Sequence, residues 1–467
     1  MKKIYLGLSL AAAALAATTV SAQTNDALDA LKQQLQQMQQ QMQLMQQKIN
    51  ELEAAKTSAP PSAVQAPAAP PAAPAEAVTQ EQMQQLNEKV NQVVEAQKKT
   101  LLSEFNPAIG FVGETIFQYT SKSQNATGTD QPGGWDVNQR SMELNIAASV
   151  DPFAKGYAVI NAQADPVTGE SSLEVEEAAI QTTSLPWNLE LKAGQFFGEF
   201  GRLSYIHDHE LPFVNRPLVL DQYVGGESKA IGAQLNWLLP IQHYVSLTAG
   251  VGDQFGDIPN YPGGFRSLDE WNYWGRLSTY FELTPDWQIE TGISGLINPS
   301  TGVDQGGALA QPNGSTLTEK GRLLGDWDFS LRYVPLQDNQ FRSFTWGTEI
   351  LYSDNRYLDD PDGIPGDGDE FSKDVGSIGL YTYLAYKFSR QWTAGFTFDY
   401  VESDQDVNAR TFAYSPYITL ALSHWNQLRL QYTHTDQNAE TGLKGYDAAY
   451  LQWCWIIGSH SHGWQQR

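Results

Sequence analysis

Residues 207–210 read His207-Asp208-His209-Glu210, placing two imidazoles and two carboxylates within four positions. Such a mixture of nitrogen and oxygen donors suits zinc or another transition metal. In an extended segment the His-x-His spacing puts both rings on one side of the chain. The same groups also suit plain hydrogen bonding of the segment to a neighbouring wall. A second concentration runs Asp359-Asp360-Pro361-Asp362-Gly363 and Asp367-Gly368-Asp369-Glu370. Oxygen donors between glycine turns suit calcium, although the spacing is not that of an EF-hand, and a solvated acidic loop has the same composition. His460 and His462 read as a solvated tail. His243, His424 and His434 read as structural or interfacial. The single cysteine, Cys454, permits no intramolecular disulfide and sits in an apolar run as a packing residue. Gly-x-Ser-x-Gly, His-Glu-x-x-His and phosphate-binding glycine loops are all missing, so no enzyme is expected.

The whole chain narrows the setting for those groups. It has 467 residues with Asp+Glu 53 against Lys+Arg 29, a net charge of −24, which opposes binding to nucleic-acid backbones. Beyond the N-terminus no apolar run reaches the ~18 residues of a membrane helix. Yet the chain carries 13 Trp and 21 Tyr. A polar, aromatic-rich chain fits a transmembrane barrel, whose strands face lipid on one side and water on the other. A large soluble β-protein is the alternative. Lys2 and Lys3, the apolar run Ile4 to Ala17 and the small residues Val20-Ser21-Ala22 read as a secretory signal over residues 1–22.

Residues 23–56 carry Leu28, Leu31, Leu35, Met38, Met42, Met45, Ile49 and Leu52, alternating spacings of three and four in a Gln-rich background. That seam predicts a coiled coil, with a lone amphipathic helix as the alternative. Residues 57–78 are Ala and Pro in the main, a semi-rigid linker. A second short heptad run fills 79–104 through Met83, Leu86, Val90 and Val93. From residue 105 to 467 helical periodicity gives way to alternation. Ile231, Ala233, Leu235 and Trp237 interleave with Gly232, Gln234 and Asn236. Phe344, Trp346, Thr348, Ile350 and Tyr352 repeat the pattern, as do Trp392, Ala394, Phe396, Phe398 and Tyr400.

Connections sort into two kinds. Short ones fall near residues 151–152, 185–186, 240–241, 284–285, 336–337, 389–390 and 423–424. Longer polar ones fall at about 120–137, 163–172, 196–229, 253–271, 298–321, 355–375, 402–411 and 435–445. Strict alternation of short and long predicts sixteen strands in an all-β, up-and-down transmembrane barrel, with periplasmic turns on one side and external loops on the other. Trp187, Trp287, Trp392 and Trp425 each follow a short turn, as an interfacial girdle would.

If the apolar set faces lipid, the other set lines a lumen. Acids there are Glu190, Glu282, Glu290, Asp326, Asp328, Glu349 and Asp399; bases are Lys192, Arg276, Arg332, Lys387 and Arg429. Mixed charge on facing walls suits an aqueous pore, while a filled barrel closed by salt bridges is the alternative. The third long connection, about 196–229, is the most apolar, with Leu211, Phe213, Val214, Leu218, Val219, Leu220 and Tyr223. Such a segment is expected to fold into the lumen and narrow it.

The opening Phe105-Asn106-Pro107, then Glu176-Glu177-Ala178, Leu191-Lys192-Ala193-Gly194, His207-x-His209, Pro212-Phe213-Val214 and Arg216-Pro217-Leu218-Val219 together resemble a family of porin-like outer-membrane proteins of Gram-negative bacteria. Members are labelled zinc-regulated TonB-dependent outer-membrane receptors, and the architecture is similar to that of phosphate-selective porins. The resemblance implies an outer-membrane barrel embedded in lipid, a trimer and a bearing on zinc.

The expectation is a channel for passive diffusion of small hydrophilic solutes or ions, with the N-terminal region in the periplasm and the chain in a homo-oligomer. A zinc-uptake protein using His207, Asp208, His209 and Glu210, and a structural tether reaching toward the cell wall, are the other readings.

Overall fold

The computed structural model describes residues 107–122, 133–165, 168–258, 267–301, 309–310, 315–336, 341–364, 368–438 and 445–458. The expected signal peptide, coiled coil, linker and second heptad run lie outside them, as do His460 and His462.

Within the described residues the chain is built from strands. In order they are β1 (Ala108–Thr120), β2 (Gly134–Asp151), β3 (Ala154–Ala164), β4 (Ser171–Thr182), β5 (Leu189–Phe197) and β6 (Lys229–Leu238). Next come β7 (Tyr244–Phe255), β8 (Asn272–Thr284), β9 (Trp287–Asn298), β10 (Leu309–Ala310), β11 (Thr316–Tyr333) and β12 (Ser343–Asp360). The series ends with β13 (Phe371–Lys387), β14 (Trp392–Glu402), β15 (Arg410–Ser423), β16 (Asn426–Gln437) and β17 (Tyr446–Gly458). One helix, α1 (Leu218–Tyr223), lies between β5 and β6.

Each spanning strand pairs antiparallel with its sequence neighbours, and β1 pairs with β17 from Gly110↔Gly458 to Thr120↔Ala448, which closes the sheet. The two-residue β10 is a flap on β11 and does not interrupt the wall, because β9 pairs directly with β11 from Arg322↔Asn298 to Tyr333↔Trp287. Sixteen strands therefore form a closed barrel, as the alternation of connections predicts.

Several boundaries differ from the sequence reading, among them 134–137 and 371–375, which are strand, and two are displaced furthest. Residues 316–321 and 355–360 are strand where loops were expected, so β11 and β12 each run 18 residues. Both faces of these extensions carry polar residues, which erases the period-two signal while leaving the hydrogen-bonded ladder intact.

The wall is apolar outside and polar inside. Leu277, Ile293, Leu384, Leu430 and Ile457 are exposed on the outer face. Gln234, Asn236, Arg276, Asp328, Glu349 and Gln452 are buried within. Leaving so broad an apolar face in water would cost roughly 25 cal/mol per Å², so the face requires lipid. Trp187, Trp392 and Trp425 are exposed at the short-turn rim, in keeping with the expected girdle. No helix among the described residues is long and apolar enough to cross a membrane. The crossing is made by strands.

Candidate functional site

The interior is organised by the connection 198–228. Its apolar residues have no lipid to face, so they bury against the inner wall. Phe200 meets Phe255 edge-on at 6.1 Å, and Phe213 meets Tyr383 at 5.6 Å and Tyr417 at 6.3 Å. Leu211, Val219, Leu220, Tyr223 and Val224 join the same core. Each fully buried side chain of this size contributes about 1.5–3 kcal/mol. At the point where the segment turns inward Gly201 adopts φ 59°, and a Cβ there would collide with the Glu349 carboxylate. The expected inward fold is what the structure shows.

Charged groups staple the segment in place. Arg140 grips Glu114 with two hydrogen bonds of 2.7 and 2.6 Å and donates a third, 2.7 Å, to the Val214 carbonyl. Arg216 donates to Asp208 at 3.1 and 2.8 Å and to the carbonyls of Leu203 (2.6 Å) and Ile206 (2.7 Å). Arg429 donates to the Phe213 carbonyl at 2.9 Å, and the Leu218 amide donates to Asp399 at 3.2 Å. The Arg202 amide and side chain reach Glu349 (3.2 Å) and Glu290 (3.0 Å).

The sequence-derived lumen set therefore divides. Arg276 pairs with Asp328 at 2.5 Å beside Asp326, Glu190 accepts from Gln181 at 2.6 Å, and Lys192 stands 5.3 Å over the Phe196 ring. These groups, with Glu290, Glu349, Asp399 and Arg429, serve packing and the inner segment. Glu282, Arg332 and Lys387 lie at the short-turn ends of β8, β11 and β13.

His207 and His209 are both buried, with ring centroids 5.7 Å apart. The expected four-residue donor set is nevertheless not what surrounds them. Asp208 points the other way, to Arg216, and residues 208–210 form a 3-10 turn instead of extended chain. A turn fans successive side chains around its axis, which separates Asp208 from the rings. The partners of the histidines come from the wall. His207 Nε2 lies 3.1 Å from Glu177, its Nδ1 lies 3.1 Å from Glu176 and 3.7 Å from Glu143, and His209 Nδ1 lies 2.9 Å from Glu143.

Two consecutive glutamates can both face inward because β4 is bulged. Val159 pairs with Glu177 and Ile160 with Val175, leaving Glu176 as the extra residue. Sequence reasoning missed Glu114, Arg140, Glu143, Glu176 and Glu177 as site residues. The available signal was the break in alternation at Glu174-Val175-Glu176-Glu177.

Ionisation in the inner segment follows its contacts. Burial works against a proton on His207, yet Glu143, Glu176 and Glu177 hold it well above the ordinary histidine range. Burial likewise opposes ionisation of Asp208, but Arg216 and Arg140 keep its carboxyl below the usual range. Burial pushes the Glu227 carboxyl up to about 8, against the pull of Arg216 at 3.4 Å. In the acidic connection, Asp360, Asp362 and Asp369 bring carboxylate oxygens within 4.8 Å of one another at the rim.

Chambers lie on either side of the inner segment. One of about 550 Å³ opens toward the long-connection rim, where Glu174, Asp208, Asp221, Glu227 and Asp257 face Arg140, Arg216 and Lys229. Another of about 510 Å³ opens toward the short-turn rim between Arg202, Tyr280, Glu290 and Arg332.

Among known proteins, no family model matches the chain. A protein of Aquifex aeolicus (strain VF5), described as an "Uncharacterized protein", is 26% identical over 349 residues, covering 70% of this chain and 69% of its own. Pseudomonas putida OprB superposes with a TM-score of 0.50 at 9% identity, covering 78% of this chain and 96% of that one. The outer membrane channel DcaP of Acinetobacter baumannii gives 0.48 at 10% identity over 75% and 97% of the two chains. An anion-selective porin from Comamonas acidovorans gives 0.48 at 7% identity over 75% and 99%. The shared fold is a closed antiparallel β-barrel. At these identities the likeness extends to the fold alone.

Proposed function

We propose that the protein is a porin-like outer-membrane channel that passes small hydrophilic solutes or ions down their gradient, with residues 198–228 as its constriction. The observation that carries this reading is the pair of chambers lined with charged side chains on opposite sides of one inward-folded segment, inside a closed barrel of sixteen strands. A barrel of that size leaves an aqueous lumen unless something occupies it. Long connections face outward from the cell and short turns face the periplasm, as barrel asymmetry dictates. The chain's excess of Asp+Glu 53 over Lys+Arg 29 supports mild cation preference. The heptad seam from Leu28 to Leu52 supports a homo-oligomer joined in the periplasm, with a trimer as our choice. Purified protein in a planar bilayer should give small discrete conductance steps and a reversal potential on the cation side under a salt gradient. A membrane left unaltered by inserted, heat-modifiable protein would sink the channel reading and favour the structural tether.

A further inference from the structure

We propose that Glu143 of β2, Glu176 of β4 and His207 of the inner segment form a binding site for one divalent transition-metal cation, with His209 at its edge. This goes beyond the channel reading, which stands without it. The three residues come from three separate stretches of chain, and one donor atom from each lies within 4.8 Å of the others. His207 Nδ1 is 3.1 Å from Glu176 Oε2 and 3.7 Å from Glu143 Oε2. Around a tetrahedral zinc-type ion with bonds of roughly 2.0–2.1 Å, neighbouring donors stand roughly 3.3 Å apart. These two separations bracket that figure, and the two carboxylate oxygens lie within 4.8 Å of each other, so side-chain rotation can close the set around an ion.

The donor chemistry points to the same class of ion. One imidazole nitrogen with two carboxylate oxygens suits zinc and its first-row neighbours more than calcium or magnesium, which take oxygen alone. His209 Nδ1, 2.9 Å from the other Glu143 oxygen, orients that carboxylate and stands ready as a further ligand. Glu177 holds the far side of the His207 ring, fixing which nitrogen faces the site. Charge balance agrees. Three buried carboxylates face two imidazoles, and one divalent cation carries the charge that two ring protons would otherwise supply. Bound metal would join β2, β4 and the constriction into one unit.

The test uses the full chain, folded in detergent and stripped with a chelator, then titrated with zinc alone and separately with cobalt(II). One equivalent of zinc should bind and raise the melting temperature, and cobalt(II) should show the strong visible absorption of a tetrahedral nitrogen and oxygen site. Glu176→Gln and His207→Gln should each weaken zinc binding at least tenfold, whereas Asp362→Asn in the exposed acidic connection should leave it unchanged. The wild-type cobalt spectrum needs no variant and stands if either substitution fails to fold. The proposal is overturned by the absence of stoichiometric binding in wild type. It is equally overturned if binding survives both substitutions or is lost on Asp362→Asn.

Discussion

Two long connections of the same barrel behave in opposite ways. The third, residues 198–228, buries Phe200, Leu211, Phe213, Val219 and Leu220 and is held by Arg140, Arg216 and Arg429. The sixth, residues 361–370, carries Asp362, Asp367, Asp369 and Glu370 in its sequence, and its described residues contribute nothing to the interior core. Both are tethered to neighbouring strands of equal antiparallel geometry, so strand pairing does not decide the outcome. Composition does. A segment with many apolar side chains gains several kcal/mol by entering the barrel, while one dominated by carboxylates would forfeit their hydration and stays at the rim.

The sharpest way to break the contrast is to remove the inner segment. Replacing residues 203–225 with a short Gly/Ser link should raise single-channel conductance several-fold, because the two chambers would merge. Unchanged conductance would mean that the path runs elsewhere. Next in size is Arg216→Ala, which leaves buried carbonyls of Leu203 and Ile206 and the Asp208 carboxylate without their donor. Leaving the buried Leu203 carbonyl without a donor costs about 1–3 kcal/mol, and the half-exposed Asp208 carboxylate adds less. Protease cleavage within 203–225 should therefore appear in the variant while the barrel itself stays resistant.

A smaller effect follows from Glu227. Its folded-state value is raised from 4.5 to about 8, so the folded form holds its proton more tightly than the unfolded chain does. Its stabilising contribution is complete below pH 4.5 and is lost as pH rises through about 8. Between those limits the melting temperature of wild type should fall with pH more steeply than that of Glu227→Gln. Parallel curves for the two proteins would show that this carboxyl does not titrate with folding.

What could be read from the sequence and what could not follows from the range of each signal. Period-two alternation is local, so the faces of β6, β12 and β14 and the inward fold of 198–228 were legible from single segments. The partners inside the barrel are non-local: Glu143 and His209 are 66 positions apart, and Val214 and Gln431 are 217 apart. No spacing rule links them. The bulge at Glu176 depends on register with β3, which a single strand does not reveal. For that reason His207 and His209 were recognisable as chemistry while Glu143, Glu176 and Glu177 were not, and Asp208, which the turn sends to Arg216, was grouped with them on adjacency alone.

The smallest effect belongs to the sixth connection. Asp359 pairs with Phe371 across the ends of β12 and β13, so residues 362–369 can be replaced by Asn-Gly without disturbing the ladder. Because the described residues of the segment add nothing to the core, stability should change by less than about 0.5 kcal/mol. Its Asp362 and Asp369 are exposed to solvent, and fixed charges in water are screened over about 10 Å at 0.1 M salt. Cation preference should thus weaken by less than about twofold at low salt and not at all at 1 M, where the screening length is about 3 Å. Added calcium should leave the melting temperature of wild type unchanged, since Asp362 and Asp369 are exposed and hydrated and only Asp360 is buried. A clear rise with calcium that the replacement abolishes would reverse the comparison. The sixth connection would then be a second ordered element, held by a cation where the third is held by its apolar core.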